Sequence, residues 1–282
     1  MLINNRVIFN NAGTLTDVSS ALSNIHSETK VFDFQSATDY IYLGSDLPFN
    51  HRHFDLAAVN ANAAAISVDL WTGNGWVAAI DIIDQTQATA GTSLGQSGII
   101  AWRPDNLASS WGWDDTNLMT SSGLSSLNIK QLFWARLSFS ANLTSTLEFK
   151  YIGYKFSKDE ELEAEYPELS LSGMKTAFKA GKTDWNEQSL VAAEYIIHDL
   201  RQRNVINSMN QILDWRVFSK ASVHKTAEII FRAFGDDYKD NMIEANKQYK
   251  LAMDLKQFNI DQNRDATLSE PETKSLTTFL GR

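Results

Sequence analysis

Residues able to do chemistry are thinly spread along this 282-residue chain. The sharpest grouping is Asp261-Gln-Asn263-Arg-Asp265-Ala-Thr267-Leu-Ser269-Glu-Pro-Glu272. Oxygen-bearing side chains at loop positions 1, 3 and 5, an apolar residue at 8, an oxygen at 9 and Glu at 12 follow the layout of a helix–loop–helix calcium loop. Asp261, Asn263, Asp265, Thr267 (through its backbone carbonyl), Ser269 and Glu272 are thus candidate ligands of one Ca²⁺ ion. Ala266 stands where the sharp turn favours Gly, and Pro271 interrupts the exit helix. The competing reading is a turn that ends the preceding helix through Asp and Asn side chains.

Other polar groups form only fragments of sites. His51 and His53 in Asn-His-Arg-His-Phe share one side of a strand and make a two-ligand metal fragment, with no third ligand at recognisable spacing. His198 and His224 fall on separate helices and read as surface or packing residues. Asp81 with Asp84, and Asp114 with Asp115 beside Trp111 and Trp113, are the carboxylate pairs to weigh for glycoside hydrolysis or sugar stacking. Adjacent acids near turns are ordinarily solvated, and Trp in strands is ordinarily core. The chain has no G-x-S-x-G elbow, no H-E-x-x-H, no phosphate-binding loop and no cysteine, so a disulfide scaffold, a thiolate zinc site and a thiol nucleophile are excluded. The expectation is a binding or structural protein, not an enzyme.

The elements that must carry these residues change character near Ser157. The first 156 residues hold 21 charged side chains and six of the eight Trp, whereas the last 126 hold 38 charged side chains. Sparse charge with alternating aromatics fits strands, and dense mixed charge fits exposed helix faces. Ile66, Val68 and Leu70 alternate with Ser67 and Asp69, and the glycines of Trp71-Thr-Gly-Asn-Gly-Trp76 predict a hairpin leading into Val77–Ile83. Phe133–Phe139 and Leu147–Tyr151 alternate likewise. Shorter strands are expected at Arg6–Phe9, Lys30–Phe34, Tyr40–Leu43, Phe54–Val59 and Gly98–Arg103.

Helical spacing dominates afterwards. A capping-box-like start at Asp184 and Glu187 precedes Leu190, Ala193, Ile197 and Leu200. Val223, Ala227, Ile230, Phe231 and Phe234 form a second stripe closed by Gly235, and Tyr238, Met242, Ala245, Tyr249 and Ala252 a third, running to about Phe258. Shorter helices are expected at 158–165 and 171–179. The predicted fold class is α+β and multidomain: an N-terminal antiparallel β-sandwich of jelly-roll type over 1–156, an α-helical bundle over 157–260 and an extended tail over 261–282.

A net charge of −9 argues against a protein that grips nucleic acid, because phosphate binding runs on Lys and Arg. The opening MLINNRVIFNNAGTLTD lacks the layout of a signal peptide, and no apolar run of about 18 residues is available to span a membrane.

Three segments, Phe49-Asn-His-Arg-His-Phe-Asp-Leu56, Ile66-Ser-Val-Asp-Leu-Trp-Thr-Gly-Asn-Gly-Trp-Val-Ala78 and Gln96-Ser-Gly-Ile-Ile-Ala-Trp102, resemble β-sandwich regions of tailed-phage virion proteins. The helical part, with its late aromatic stripe Tyr238, Met242, Tyr249 and the acidic stretch Asp261–Asp265, is similar to the head–tail connector (adaptor) proteins of long-tailed phages. That resemblance implies a homo-oligomeric ring, usually of twelve copies, at the virion neck, made in the bacterial host cytoplasm. Its partners would be the portal protein above and stopper or tail proteins below, with double-stranded DNA passing through without specific binding. The C-terminal segment would reach the portal, and the sandwich would face outward. The alternative is a virion-associated carbohydrate-binding β-sandwich using Trp71, Trp111 or Trp113 as stacking platforms.

The calcium reading has a direct check. Titration calorimetry of the full chain with CaCl₂ is expected to give saturable heat if the 261–272 loop wraps the ion; no heat at millimolar metal rejects that reading.

Overall fold

The structure, a computed structural model, describes residues 5–24, 28–36, 38–73, 75–103, 132–254 and 260. The chain divides into two compact units. The first holds the described residues up to Gly153 together with Ser208–Leu213, and the second holds Tyr154–Asn207 and the described residues from Asp214 onward. Among the described residues there are eleven strands in two antiparallel sheets and six α-helices, an α+β chain.

The first unit carries every described strand. In chain order these are β1 (Arg6–Asn11), β2 (Thr14–Asp17), β3 (Lys30–Val31), β4 (Tyr40–Ser45), β5 (His51–Ala58), β6 (Ile66–Trp71), β7 (Trp76–Ala78), β8 (Ile80–Asp84), β9 (Gly98–Arg103), β10 (Phe133–Phe139) and β11 (Glu148–Gly153); a short helix, α1 (Ser19–Leu22), follows β2. The six-stranded sheet runs β2-β1-β4-β10-β6-β7 and the five-stranded sheet β3-β11-β5-β9-β8. Period-two alternation sends one set of side chains from each sheet toward the other. Phe9 of β1 stacks on Phe32 at 4.4 Å between ring centroids and reaches Phe149 of β11 at 5.4 Å, while Phe34 meets Phe139 of β10 edge-on at 5.0 Å. Removing these rings from water is the main favourable term holding the unit together.

The β6–β7 hairpin forms as its glycines predict, with Trp71 opposite Trp76 and Gly73 at φ +89°. The expected single run Val77–Ile83 does not. The chain leaves the six-stranded sheet after Ala78, and Ala79 still bonds back to Val68 O. It then enters the five-stranded sheet as β8, where Asp81 at φ +51° sits in a register break between Ile80 and Ile83. Period alone cannot distinguish one strand from two that change sheets. Lys30–Phe34 is likewise trimmed to Lys30–Val31, although Phe32 and Phe34 remain buried.

On the other face of the six-stranded sheet, fully buried Trp134 of β10 lies across Gly44 of β4. A Cβ at Gly44 would stand 2.6–2.9 Å from the indole, so only glycine lets this ring lie flat.

Buried Arg52 of β5 shapes one region of this unit. Its guanidinium stacks on Phe49 at 3.9 Å, donates to His51 O at 2.7 Å and Asn5 Oδ1 at 3.1 Å, and donates from Nη2 to Asn210 Oδ1 at 2.9 Å. Asn210 in turn donates its amide N–H to Asp46 Oδ1 at 2.7 Å. One amide thus presents oxygen to a cation and N–H to an anion. Asn210 belongs to Ser208–Leu213, the stretch that joins the first unit from far along the sequence.

The second unit is helical: α2 (Asp159–Glu165), α3 (Ser172–Phe178), α4 (Asn186–Gln202), α5 (Ser219–Ala233) and α6 (Lys239–Met253). Leu162, Trp185, Ala227, Ile230, Phe231 and Ala245 are buried together, and Trp185 Nε1 donates to Leu169 O at 2.9 Å. Gly235, at φ +68°, follows the C-cap Phe234 of α5 as expected. The expected capping box at Asp184 does not form. The helix starts at Asn186, Asp184 Oδ1 accepts from the Asn186 N–H at 2.9 Å, and Glu187 lies 3.9 Å from Lys182.

Replacing Asn210 by Ala leaves the buried Arg52 guanidinium and Asp46 short of partners. It is expected to lower stability by about 2–4 kcal/mol, read as a shifted urea midpoint. Asn210→Asp, which keeps an acceptor for Arg52 but sets a second carboxylate against Asp46, is expected to be destabilising as well.

Candidate functional site

The candidate calcium ligands Asp261, Asn263, Asp265, Thr267, Ser269 and Glu272 lie outside the described residues, as do Trp111, Trp113, Asp114 and Asp115. His51 and His53 do share one face of β5, and both are buried, at 2% and 4% exposure. Among the described residues no group of three or more His, Cys, Asp or Glu side chains is placed to hold a metal, so the pair gains no third ligand. His51 Nδ1 lies 2.8 Å from Asn50 Oδ1. Burial, with the Arg52 charge beside it, pushes the His51 imidazole down to about 3.

Asp81 and Asp84 are not brought together as a catalytic pair. Asp81 is paired with Arg103 at 2.7 Å at an exposed position. Asp84 organises its loop, accepting from Thr86 N–H at 2.8 Å, Thr86 Oγ1 at 2.5 Å and Ser93 Oγ at 2.5 Å. His198 lies 2.7 Å from Gln202 on the exposed side of α4.

Trp71 belongs to an aromatic cluster on the outward face of the six-stranded sheet. It meets Trp76 at 5.3 Å, and Trp76 meets Tyr42 at 5.7 Å. The Arg136 guanidinium lies 4.6 Å from both the Tyr40 and Trp76 rings and is held by Asp69 Oδ2 at 2.7 Å. Cross-strand pairing places these residues side by side, so their grouping follows from register.

Sequence reasoning missed a groove in the helical unit. It encloses about 530 Å³ between α2, α5 and α6, and is lined by Glu161, Glu165, Lys220, Val223, His224 and Leu251, among others. His224, 8% exposed, sits with Nδ1 2.8 Å from the Tyr166 hydroxyl. Burial lowers the His224 pKa, with Lys220 adding to the effect and Glu165 and Glu244 opposing it. Burial and the charges of Glu165, Glu244 and Glu168 push the Tyr166 phenol up to about 12. His224 falls between Val223 and Ala227 of the apolar stripe, which is why spacing alone marks it as a packing residue.

The chain matches no protein-family model and no curated protein. Among the described residues no helix is long and apolar enough to cross a membrane.

The pKa of His51 yields a test. A folded-state value below the ordinary imidazole range means that the unfolded chain takes up a proton the folded chain refuses. Its contribution to stability is complete above about pH 6.5 and is lost as pH falls toward about 3, at up to about 1.4 kcal/mol per pH unit. NMR of the histidine rings is expected to show His51 neutral from pH 7 to 4.5; a His51 midpoint near 6.5 overturns the assignment.

Proposed function

We propose that this chain is a structural virion protein of a tailed phage, an adaptor subunit that assembles as a ring at the neck, joins the portal to the tail and surrounds the DNA channel. In this reading the two sheets form an outward-facing jelly-roll-like β-sandwich, the helices form a connector-like bundle, and the tail from Asp261 onward docks on the portal. One observation carries the proposal. The helical unit leaves Ile243 of α6 and Leu171 51% and 58% exposed, although α6 already buries Ala245, Tyr249 and Met253 in its own unit. A helix with one face committed to the core and a large apolar side chain on another face suits a head-to-tail contact with the next copy, the kind of contact that closes into a ring. The net charge of −9 supports the same reading, since an acidic channel wall lets DNA slide past.

A carbohydrate-binding role is the second reading. The outward cluster of Trp71, Trp76, Tyr40 and Tyr42 supports it. Arg136 already lies over Tyr40 and Trp76, which weakens it.

Electron microscopy of the protein mixed with its phage's portal ring is expected to show an added ring of density below the portal. Removing residues 261–282 is expected to abolish that density. Ile243→Asp, at an exposed position, is expected to leave the monomer's melting temperature unchanged while preventing ring closure. No added density on a well-formed portal overturns the adaptor reading.

A further inference from the structure

The groove between α2, α5 and α6 has three features that belong together chemically. Its volume of about 530 Å³ lies within the range of roughly 300–1,000 Å³ found for ligand sites. One part is apolar: Val223, Ala252 and Leu251, the last 56% exposed. Carboxylates crowd the opening. Glu161 and Glu165 stand one helical turn apart on α2, and Glu165 has no ion-pair or hydrogen-bond partner among the described residues. Glu244 adds to the negative field felt by His224, and Lys220 is the opposing charge of the lining.

The third feature is His224 itself. It is more than nine-tenths buried and lines the groove, and Nδ1 is engaged by Tyr166. Among the described residues its Nε2 has no hydrogen-bond partner and is not sealed from solvent. An atom so placed bonds to water or to a polar group that enters the groove and displaces it. Because the Tyr166 hydroxyl can either donate to or accept from Nδ1, the ring can present Nε2 as an acceptor.

We propose that this groove is a binding site for an arginine side chain carried by a partner polypeptide. The methylene stem would lie along Leu251 and Val223, as long cationic side chains cover apolar surface. The guanidinium would reach the free Glu165 carboxylate through charge-assisted hydrogen bonds, with a further N–H on His224 Nε2. An acidic ligand is disfavoured by Glu161, Glu165 and Glu244, and a purely apolar one would leave Nε2 without a partner. This site stands whether or not the chain forms a ring.

The test is fluorescence anisotropy of the full-length protein with a labelled nonapeptide of alternating leucine and arginine, against its leucine–glutamate counterpart. The basic peptide is expected to bind saturably and the acidic one not at all. Glu165→Gln, at an exposed site that leaves folding intact, is expected to weaken binding about tenfold, and His224→Gln about fivefold. Glu194→Gln, at an exposed position of α4 outside the groove, is expected to change nothing. With ¹⁵N-labelled histidine, the His224 Nε2 resonance is expected to shift in step with binding. Equal binding of the two peptides, no saturation, or equal weakening by Glu194→Gln and Glu165→Gln would each overturn the proposal. The last result would reduce the effect to the overall acidity of the chain.

Discussion

A guanidinium cannot be taken out of water without partners, and Arg52 has been taken out of water entirely. Much of the first unit's local geometry answers that requirement. Phe49 offers a ring face, His51 a carbonyl, and Asn5 and Asn210 side-chain oxygens. Asn210 cannot rotate freely, because its N–H is committed to Asp46. The same positive charge, added to burial, keeps His51 neutral; β5 is a strand dry on both faces over His51–Asp55, one face bearing Arg52 and Phe54 and the other His51, His53 and Asp55.

A comparable arrangement organises the helical unit. Glu228 of α5 is 3% exposed and is answered by Lys225 and Arg232 of the same helix. The Lys225 ammonium also lies over the rings of Tyr195 from α4 and Tyr249 from α6, and the Tyr249 hydroxyl donates to Asp199 of α4. Apolar side chains such as Phe231 and Ile230 supply the burial energy. The charged layer fixes which helix faces which, since a rotated helix would strand a buried charge.

The strands and helices were largely legible because burial imposes periods of two and 3.6 on the sequence, and Ile66–Trp71 and Asn186–Gln202 obey them. Legibility ended where geometry is set by distant partners. Nothing local in Val77–Asp84 announces that the chain changes sheets at Ala79, and nothing in Ser208–Leu213 announces that Asn210 answers Arg52. The groove was hidden for a related reason. Its floor is a histidine in an apolar helical stripe, and its acids come from α2, nearly sixty residues away in sequence. Short, partly matched β2 and α1 carry too few residues for any period to emerge.

The contact between Arg52 and Asn210 spans 158 residues of sequence, which has a consequence in time. On a ribosome adding about 5–20 residues per second, Asn210 is polymerised roughly 8–30 s after Arg52. Once Gly153 has been added both sheets have all their described strands, yet until Asn210 follows the guanidinium lacks one of its acceptors and must keep water or a transient partner. The nascent first unit therefore waits in a hydrated, incompletely closed form until the later stretch arrives. A premature stop between Gly153 and Ser208 would release a chain with every described strand present and the Arg52 cation short of an acceptor.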